Sequence, residues 1–299
     1  MTDPVLVGVA LDERDPAPVA LGRELARLTT RHVALLHAYP HEPLTSRVPE
    51  YEQELQKHAQ RGVEHVAVSL ADSGLDVTVL TAARVSAARA LQEAADQLDA
   101  VAIVVGSSRG GALGRVFAVN IGGRLLHGAP CPVAVTPAEA ARTHGFGRIA
   151  VAFNGSPEAG EALQAGIALA RAAGAKLTTL TVFEPVETAP AAIVPGWLVP
   201  QAYVDDLRRR AEETRRAALE QVPEDLLEDA ELLEGDAALL LPDASAGFDL
   251  LLCGSRGYGP LRAVMLGSVS MKLASRAACP LLVTPRGHGR ALAARTDAG

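Results

Sequence analysis

Aromatic side chains are scarce in this chain. Phe, Tyr and Trp together make up 3% of the 299 residues, although 48% are hydrophobic. A core of ordinary size therefore has to be built from Ala, Val and Leu. Cysteine is equally sparse: Cys131, Cys253 and Cys279 cannot form a disulfide framework, which fits a reducing compartment and makes a cytoplasmic location the expectation. No apolar run reaches the ~18 residues that a spanning helix needs. The first residues carry no basic stretch, so no secretory leader is expected. The formal charge of −7 speaks against non-specific binding to nucleic acid or to an anionic membrane. Histidine is absent from 147–285, which removes the commonest general base and metal ligand from the second half. His32, His37, His58 and His65 have no Cys partner at ligand spacing and read as packed or solvated side chains.

What is present is an internal repeat. Residues 106–137 and 254–285 align without gaps at an offset of 148. Identities include Gly106/Gly254, Ser107/Ser255, Gly111/Gly259, Leu125/Leu273 and Cys131-Pro132/Cys279-Pro280, and both segments end in Val-Thr-Pro. Earlier, Leu25-Ala26-Arg27 matches Leu169-Ala170-Arg171 at an offset of 144. The chain is two copies of one unit.

Apolar runs in the first copy predict strands over 5–11, 32–39, 75–80, 101–105 and 133–135. Helical periodicity predicts helices over 19–30, 50–70, 85–98 and 121–127. The second copy predicts strands over 148–153, 176–183, 230–233, 248–253 and 281–283, and helices over 157–173, 204–221, 237–246 and 269–278. Such alternation predicts an α/β fold: two tandem, doubly wound, five-stranded parallel-sheet units with helices on both faces. The units are expected at 1–138 and 146–286, joined by a short polar linker and followed by a mobile tail over 287–299. A Pro-rich loop over 184–200 carries Trp197 and reads either as a surface loop packed by one aromatic or as a lid or dimer contact. Arg208, Arg209, Arg210, Arg215 and Arg216 share helical spacing with Glu212, Glu213 and Glu220, which predicts an ion-paired surface rather than a nucleic-acid patch.

Between the strand over 248–253 and the last helix runs Gly254-Ser255-Arg256-Gly257, then nine residues, then Gly267-Ser268-Val269-Ser270. Glycines let a loop backbone come close to a ligand. The unpaired N–H groups and positive dipole end of the following helix attract phosphate. Ser268 and Ser270 add hydroxyl donors, and Arg256 adds a cation. The segment is not a P-loop, because no lysine follows Gly267. Nor is it the dinucleotide fingerprint, because Gly257-Tyr258-Gly259 lacks the third glycine.

Gly-x-x-Gly, nine residues, Gly-Ser resembles the ATP-binding signature of the universal stress protein family, and the duplication makes nearly the whole chain similar to its tandem members. The resemblance implies a Rossmann-like fold of the adenine nucleotide hydrolase-like kind, with the units pairing along their last strands as an intrachain pseudo-dimer; a homodimer of chains is a further option. In that family the first strand ends in an acidic residue that holds the nucleotide at its ribose or adenine end. Asn154 stands in that place here and keeps a carbonyl acceptor but no charge. By resemblance Ala152, Asn154 and Val182 would hold base and ribose. Gly254, Arg256, Gly257, Gly267, Ser268, Val269 and Ser270 would hold the phosphates.

The first copy departs from this pattern. Ala10 replaces the acid, Arg109 stands where the second glycine belongs, and Val119-Asn120 replaces Gly-Ser. A side chain at 109 intrudes where backbone must approach phosphate, so this copy reads as a degenerate site that supports the pair, or else as an altered site for another ligand. Gly106-Ser107-Ser108-Arg109-Gly110 matches the nucleophile-elbow pattern, but no His-Gly-Gly oxyanion segment accompanies it and the aligned segment of copy two is the nucleotide loop. Cys253 directly precedes that loop, which raises the question of a redox switch.

The expected function is that of a stress-response ATP-binding protein, a sensor or regulatory switch with one working site in the second unit. Its ligand is an adenine nucleotide, ATP first, with Mg²⁺ as a candidate companion of the phosphates, and its protein partner is unidentified. Neither a catalytic residue nor a protein metal ligand is expected. Two alternatives stay open: a slow ATPase, and an interaction module that binds no nucleotide.

Overall fold

The computed structural model describes residues 3–11, 16–39, 49–107, 125, 128–137, 145–185, 200–255 and 267–293. The first unit runs β1 (Val5–Gly8), α1 (Ala17–Thr29), β2 (Val33–Tyr39), α2 (Pro49–Val68), β3 (Val77–Ala83), α3 (Ala87–Gln97), β4 (Ala102–Gly106) and β5 (Val133–Thr136). The second runs β6 (Arg148–Ala152), α4 (Pro157–Ala173), β7 (Lys176–Phe183), α5 (Gln201–Leu219), β8 (Leu227–Glu234), α6 (Ala237–Ala244), β9 (Leu250–Gly254), α7 (Ser268–Arg276) and β10 (Leu281–Thr284). The expected helix over 121–127, apart from Leu125, and residues 186–199 of the Trp197 loop lie outside the described residues.

The strands form one ten-stranded sheet in the order β3-β2-β1-β4-β5-β10-β9-β6-β7-β8. Within each unit every pairing is parallel, as the strand–helix alternation predicts. The units join where β5 and β10 pair antiparallel, with Leu281 opposite Val135 and Val283 opposite Val133. This is the expected meeting of the two last strands.

Both faces of the sheet are covered, which is why its inner strands read as unbroken apolar runs rather than alternating ones. Val5 and Val7 point to a cluster with Leu21 and Leu25 of α1, and Ile149 and Val151 join the same cluster with Leu163 of α4. Leu6 points the other way, toward Leu91 of α3. Ala150 and Leu251 do likewise, toward Leu273 of α7. With few aromatics to fill space, α1 and α4 come close to the sheet instead. A Cβ on Gly22 would lie 2.3 Å from Val7 Cγ2, and one on Gly166 would lie 2.6 Å from Val151 Cγ2. These glycines occupy equivalent positions in the two copies.

The arginine-rich face of α5 is ion-paired, but of its pairs with Asp206, Glu212 and Glu234 only Arg215–Glu212 uses an acid expected from the helical spacing. Arg208 meets Glu234 at 2.5 Å and lies over the Phe183 ring, Arg209 and Arg210 meet Asp206, and Arg215 meets Glu212 at 2.9 Å. Exposed pairs of this kind contribute about 0–1 kcal/mol each, so the face keeps the helix solvated more than it holds it down.

One expectation is corrected. The segment after β10 is not a mobile tail through residue 293. Leu292 is fully buried in the core, the Gly289 N–H donates to Glu161 of α4, and Arg286 Nη2 sits 2.6 Å from Glu158 Oε1. A Cβ on Gly289 would come 2.9 Å from the Glu161 carbonyl oxygen. One leucine and one close-fitting glycine anchor a stretch too poor in apolar residues to stand out in sequence. Replacing Leu292 with Ala should therefore destabilise the protein by about 2–4 kcal/mol in urea unfolding, the cost of a buried leucine. An unchanged midpoint would mean that this segment does not pack in solution.

Candidate functional site

In a parallel sheet the ligand-facing edge is the one where strands end. In the second unit that edge carries the ends of β10, β9, β6 and β7 side by side. Thr284 pairs with Gly254, Ala152 with Cys253, and Ala152 with Leu180. Beyond β9 the chain donates from Ser255 N–H to the Thr284 carbonyl at 3.0 Å before leaving the sheet. It returns at Gly267 to start α7.

The expected phosphate residues divide here. Arg256 and Gly257 lie outside the described residues. Gly267 is the N-cap of α7 with extended backbone and contributes no side-chain cap, and α7 has no acidic residue in its first turn. The first N–H groups, of Ser268, Val269 and Ser270, thus lack intrahelical acceptors, and no acid in the helix's own first turn offsets the positive end of its dipole. Ser268 is exposed, and Val269 packs half-buried against the core. Ser270 is buried, with its hydroxyl turned back to the Gly254 carbonyl at 3.5 Å and 3.8 Å from Cys253 Sγ. Its side chain serves the helix–strand junction, and its backbone N–H is what it offers at the helix end.

Gly254 has a different reason to be glycine from the one the sequence suggests. A Cβ there would lie 2.5 Å from the carbonyl carbon of Glu158 and 2.7 Å from Ala159 N. The space it leaves is filled by the first turn of α4. That turn is capped by Ser156, whose hydroxyl accepts from Ala159 N–H at 3.2 Å, and Pro157 supplies the helical φ. The Glu158 carboxylate in the same turn is buried and held by Arg286. Neither Glu158 nor Arg286 stood out in sequence: Ser-Pro-Glu reads as a helix start, but the distant arginine carries no local signal.

The expected base and ribose residues lie along the same edge. Ala152 ends β6 half-buried, and Val182 sits half-buried on β7 on the same face of the sheet. Asn154 is exposed two residues beyond β6, and its Oδ1 accepts from Ser156 N–H at 3.1 Å. Gly155 between them has φ +77°, the left-handed conformation that favours glycine.

Two neighbouring helix starts on this edge, those of α4 and α6, are closed by side chains. Asp236 accepts from Ala238 N–H at 2.7 Å and Glu184 from Ala237 N–H at 3.0 Å at the head of α6. Helix α5 starts after Pro200 without a side-chain cap, but it follows residues outside those described. Helix α7 likewise starts uncapped after residues outside those described; what sets it apart is its place after β9, next in the sheet to β6, beyond whose end the Asn154 amide is exposed.

The cysteines do not suit a thiolate switch. Burial pushes the thiols of Cys131, Cys253 and Cys279 up to about 12; for Cys253 the Ser270 hydroxyl only partly offsets this. Because the thiolate is the reactive form, raising the pH from 7 to 9 should leave all three inert in the native state. A chromogenic disulfide reagent should titrate three thiols in denaturant and none beforehand; fast native reaction at Cys253 would refute this. A Gly254→Ala change should cost about 1–3 kcal/mol in thermal or urea unfolding without ligand, because the new methyl meets backbone rather than a movable side chain.

Comparison with known proteins agrees with this architecture. The family model described as "Universal stress protein family" matches residues 1–137 and again 145–285. A universal stress protein of Mycolicibacterium smegmatis is 29% identical over 296 residues, spanning 93% of this chain and 96% of that protein. A Thermus aquaticus universal stress protein is 34% identical over 145 residues, 46% of this chain and 98% of that protein, which is the length of one unit. Among solved structures, a universal stress protein from Archaeoglobus fulgidus superposes with a TM-score of 0.66 at 18% identity, covering 96% of this chain and 97% of its own. With both halves matched and the two-unit sheet in place, the chain belongs to the universal stress protein family.

Proposed function

We propose that this protein binds an adenine nucleotide, ATP in the first instance, at the carboxyl edge of a second unit spanning about residues 146–286, and acts as a sensor or regulatory switch. The observation that carries the reading is the uncapped start of α7 at Gly267, set beside Asn154 and the apolar pair Ala152 and Val182. The sheet order supports it. From the α7 loop at β9, the next strand is β6, with Asn154 beyond its end, and the next is β7, with Val182. Strands lie ~4.8 Å apart, so two steps span roughly 10 Å. A nucleotide laid across that edge has phosphates at Gly254, Gly267, Ser268, Val269 and Ser270, its sugar at Asn154, and its base against Ala152 and Val182. Arg256 and Gly257 complete the phosphate set by position in sequence.

ATP fits the residues present. Backbone N–H groups at a helix start favour polyphosphate, no acid in that first turn opposes it, and an exposed amide suits a sugar. Mg²⁺ enters the reading as a companion held by the phosphates. With no histidine in 147–285 to activate water, binding rather than turnover is the role. Occupancy changes the charge and surface of one edge of the sheet, and a partner protein of the switch would read that difference. The first unit, over about residues 1–138, is the structural twin: its Ala10, Arg109 and Asn120 lack the acceptor, the bare backbone and the hydroxyl.

Titration calorimetry with ATP should give about one site per chain. Ser268→Asp should hold or raise the melting temperature, because an acid suits the first turn of a helix. The same carboxylate should weaken ATP binding more than about tenfold by repelling phosphate. Asn120→Asp should leave the affinity within about twofold. Two equal sites, or equal losses at both positions, would overturn the one-site reading.

A further inference from the structure

The carboxamide of Asn154 is held by one of its two ends. Oδ1 accepts the Ser156 N–H at 3.1 Å, and Ser156 in turn caps α4. The first turn of α4 lies against Gly254, where a Cβ would be 2.7 Å from Ala159 N. The amide is thus fixed through a packed path to the start of the phosphate loop. Turning it over would set the NH₂ group against the Ser156 N–H, donor against donor. One lone pair of the carbonyl oxygen is engaged, and the end left with its full hydrogen-bonding capacity is Nδ2, which carries two donors and no acceptor. Among the described residues no acceptor is paired with it.

We infer that Asn154 recognises the sugar by donating to a ribose oxygen, so that the site selects for an acceptor there and not for a free hydroxyl hydrogen. The inference rests on the nucleotide reading above. A ribose hydroxyl can donate or accept. A carboxylate at 154 would keep one oxygen on the Ser156 N–H and turn an acceptor-only oxygen toward the sugar, which must then donate. The amide reverses the direction of that bond. An ether oxygen then serves as well as a hydroxyl, and the ligand class widens to adenine ribonucleotides whose sugar oxygens are substituted.

The test is a cycle of calorimetric titrations with ATP, 2′-O-methyl-ATP and 3′-O-methyl-ATP on the wild-type chain, Asn154→Asp and Asn154→Ala. The steric cost of the methyl group is common to all three proteins and cancels in the comparison. Asp accepts the Ser156 N–H as Asn does, so an unchanged melting temperature is expected for that variant. For at least one ether, the penalty relative to ATP should be roughly tenfold larger in Asn154→Asp than in wild type, the scale of one hydrogen bond to a charged group. Asn154→Ala should weaken ATP and both ethers alike. Penalties equal in wild type and Asn154→Asp for both ethers would overturn the inference and leave the nucleotide site standing. A wild-type chain that binds none of the three would overturn both. Should Asn154→Asp not fold, the alanine arm decides, because a larger loss for ATP than for the ethers would show that the hydroxyl hydrogen matters.

Discussion

The close seating of α4 on the sheet is the contact on which the second unit depends. It is made possible by what two glycines lack. Gly166 brings the helix down onto Val151, and Gly254 lets its first turn close over the end of β9. Neither neighbour is the tip of a long side chain: Gly254 meets backbone, which cannot swing aside. Once α4 is seated, the rest of the edge follows. Ser156 caps the helix, Asn154 is fixed by Ser156, and the buried Glu158 carboxylate takes its charge partner from Arg286. The segment beyond β10 then lies along the same helix through Glu161 and Leu292. A core short of aromatics achieves density through close approach rather than bulk.

The antiparallel junction of β5 with β10 has its own consequence. All strands of a unit run the same way, and the two units run opposite ways. Their carboxyl edges therefore face opposite sides of the one sheet. The described strand ends of the first unit lie away from the candidate site of the second. What the first unit gives its neighbour is continuity: β10 gains a hydrogen-bonded partner instead of an exposed edge, and α1 and α4 touch across the junction. This is a physical reason for keeping a twin whose own loop has departed from the nucleotide pattern.

Much of the fold was legible in sequence. Strand–helix alternation and the repeat at offset 148 fixed the class, the number of strands and the matching of copies. Strand ends were less so. β8 runs from Leu227 to Glu234 where only 230–233 stood out, because an edge strand is half-exposed and its polar residues blur the pattern. The site was legible in outline only. Gly267 at a helix start could be read from spacing, but Ser270 could not be known to turn its hydroxyl inward, nor Gly254 to face Glu158 rather than open space.

The sequence by itself determined the local chemistry: which runs are strands, where a glycine-rich loop meets a helix, and that two copies differ in that loop. These are properties of neighbours along the chain, set by periodicity, capping and turn residues. Only the tertiary structure decided which end of the Asn154 amide is engaged, why Gly254 carries no side chain, and that residues 286–293 are packed. Each of those depends on where α4 lands on the sheet, and that position comes from contacts between residues far apart in sequence.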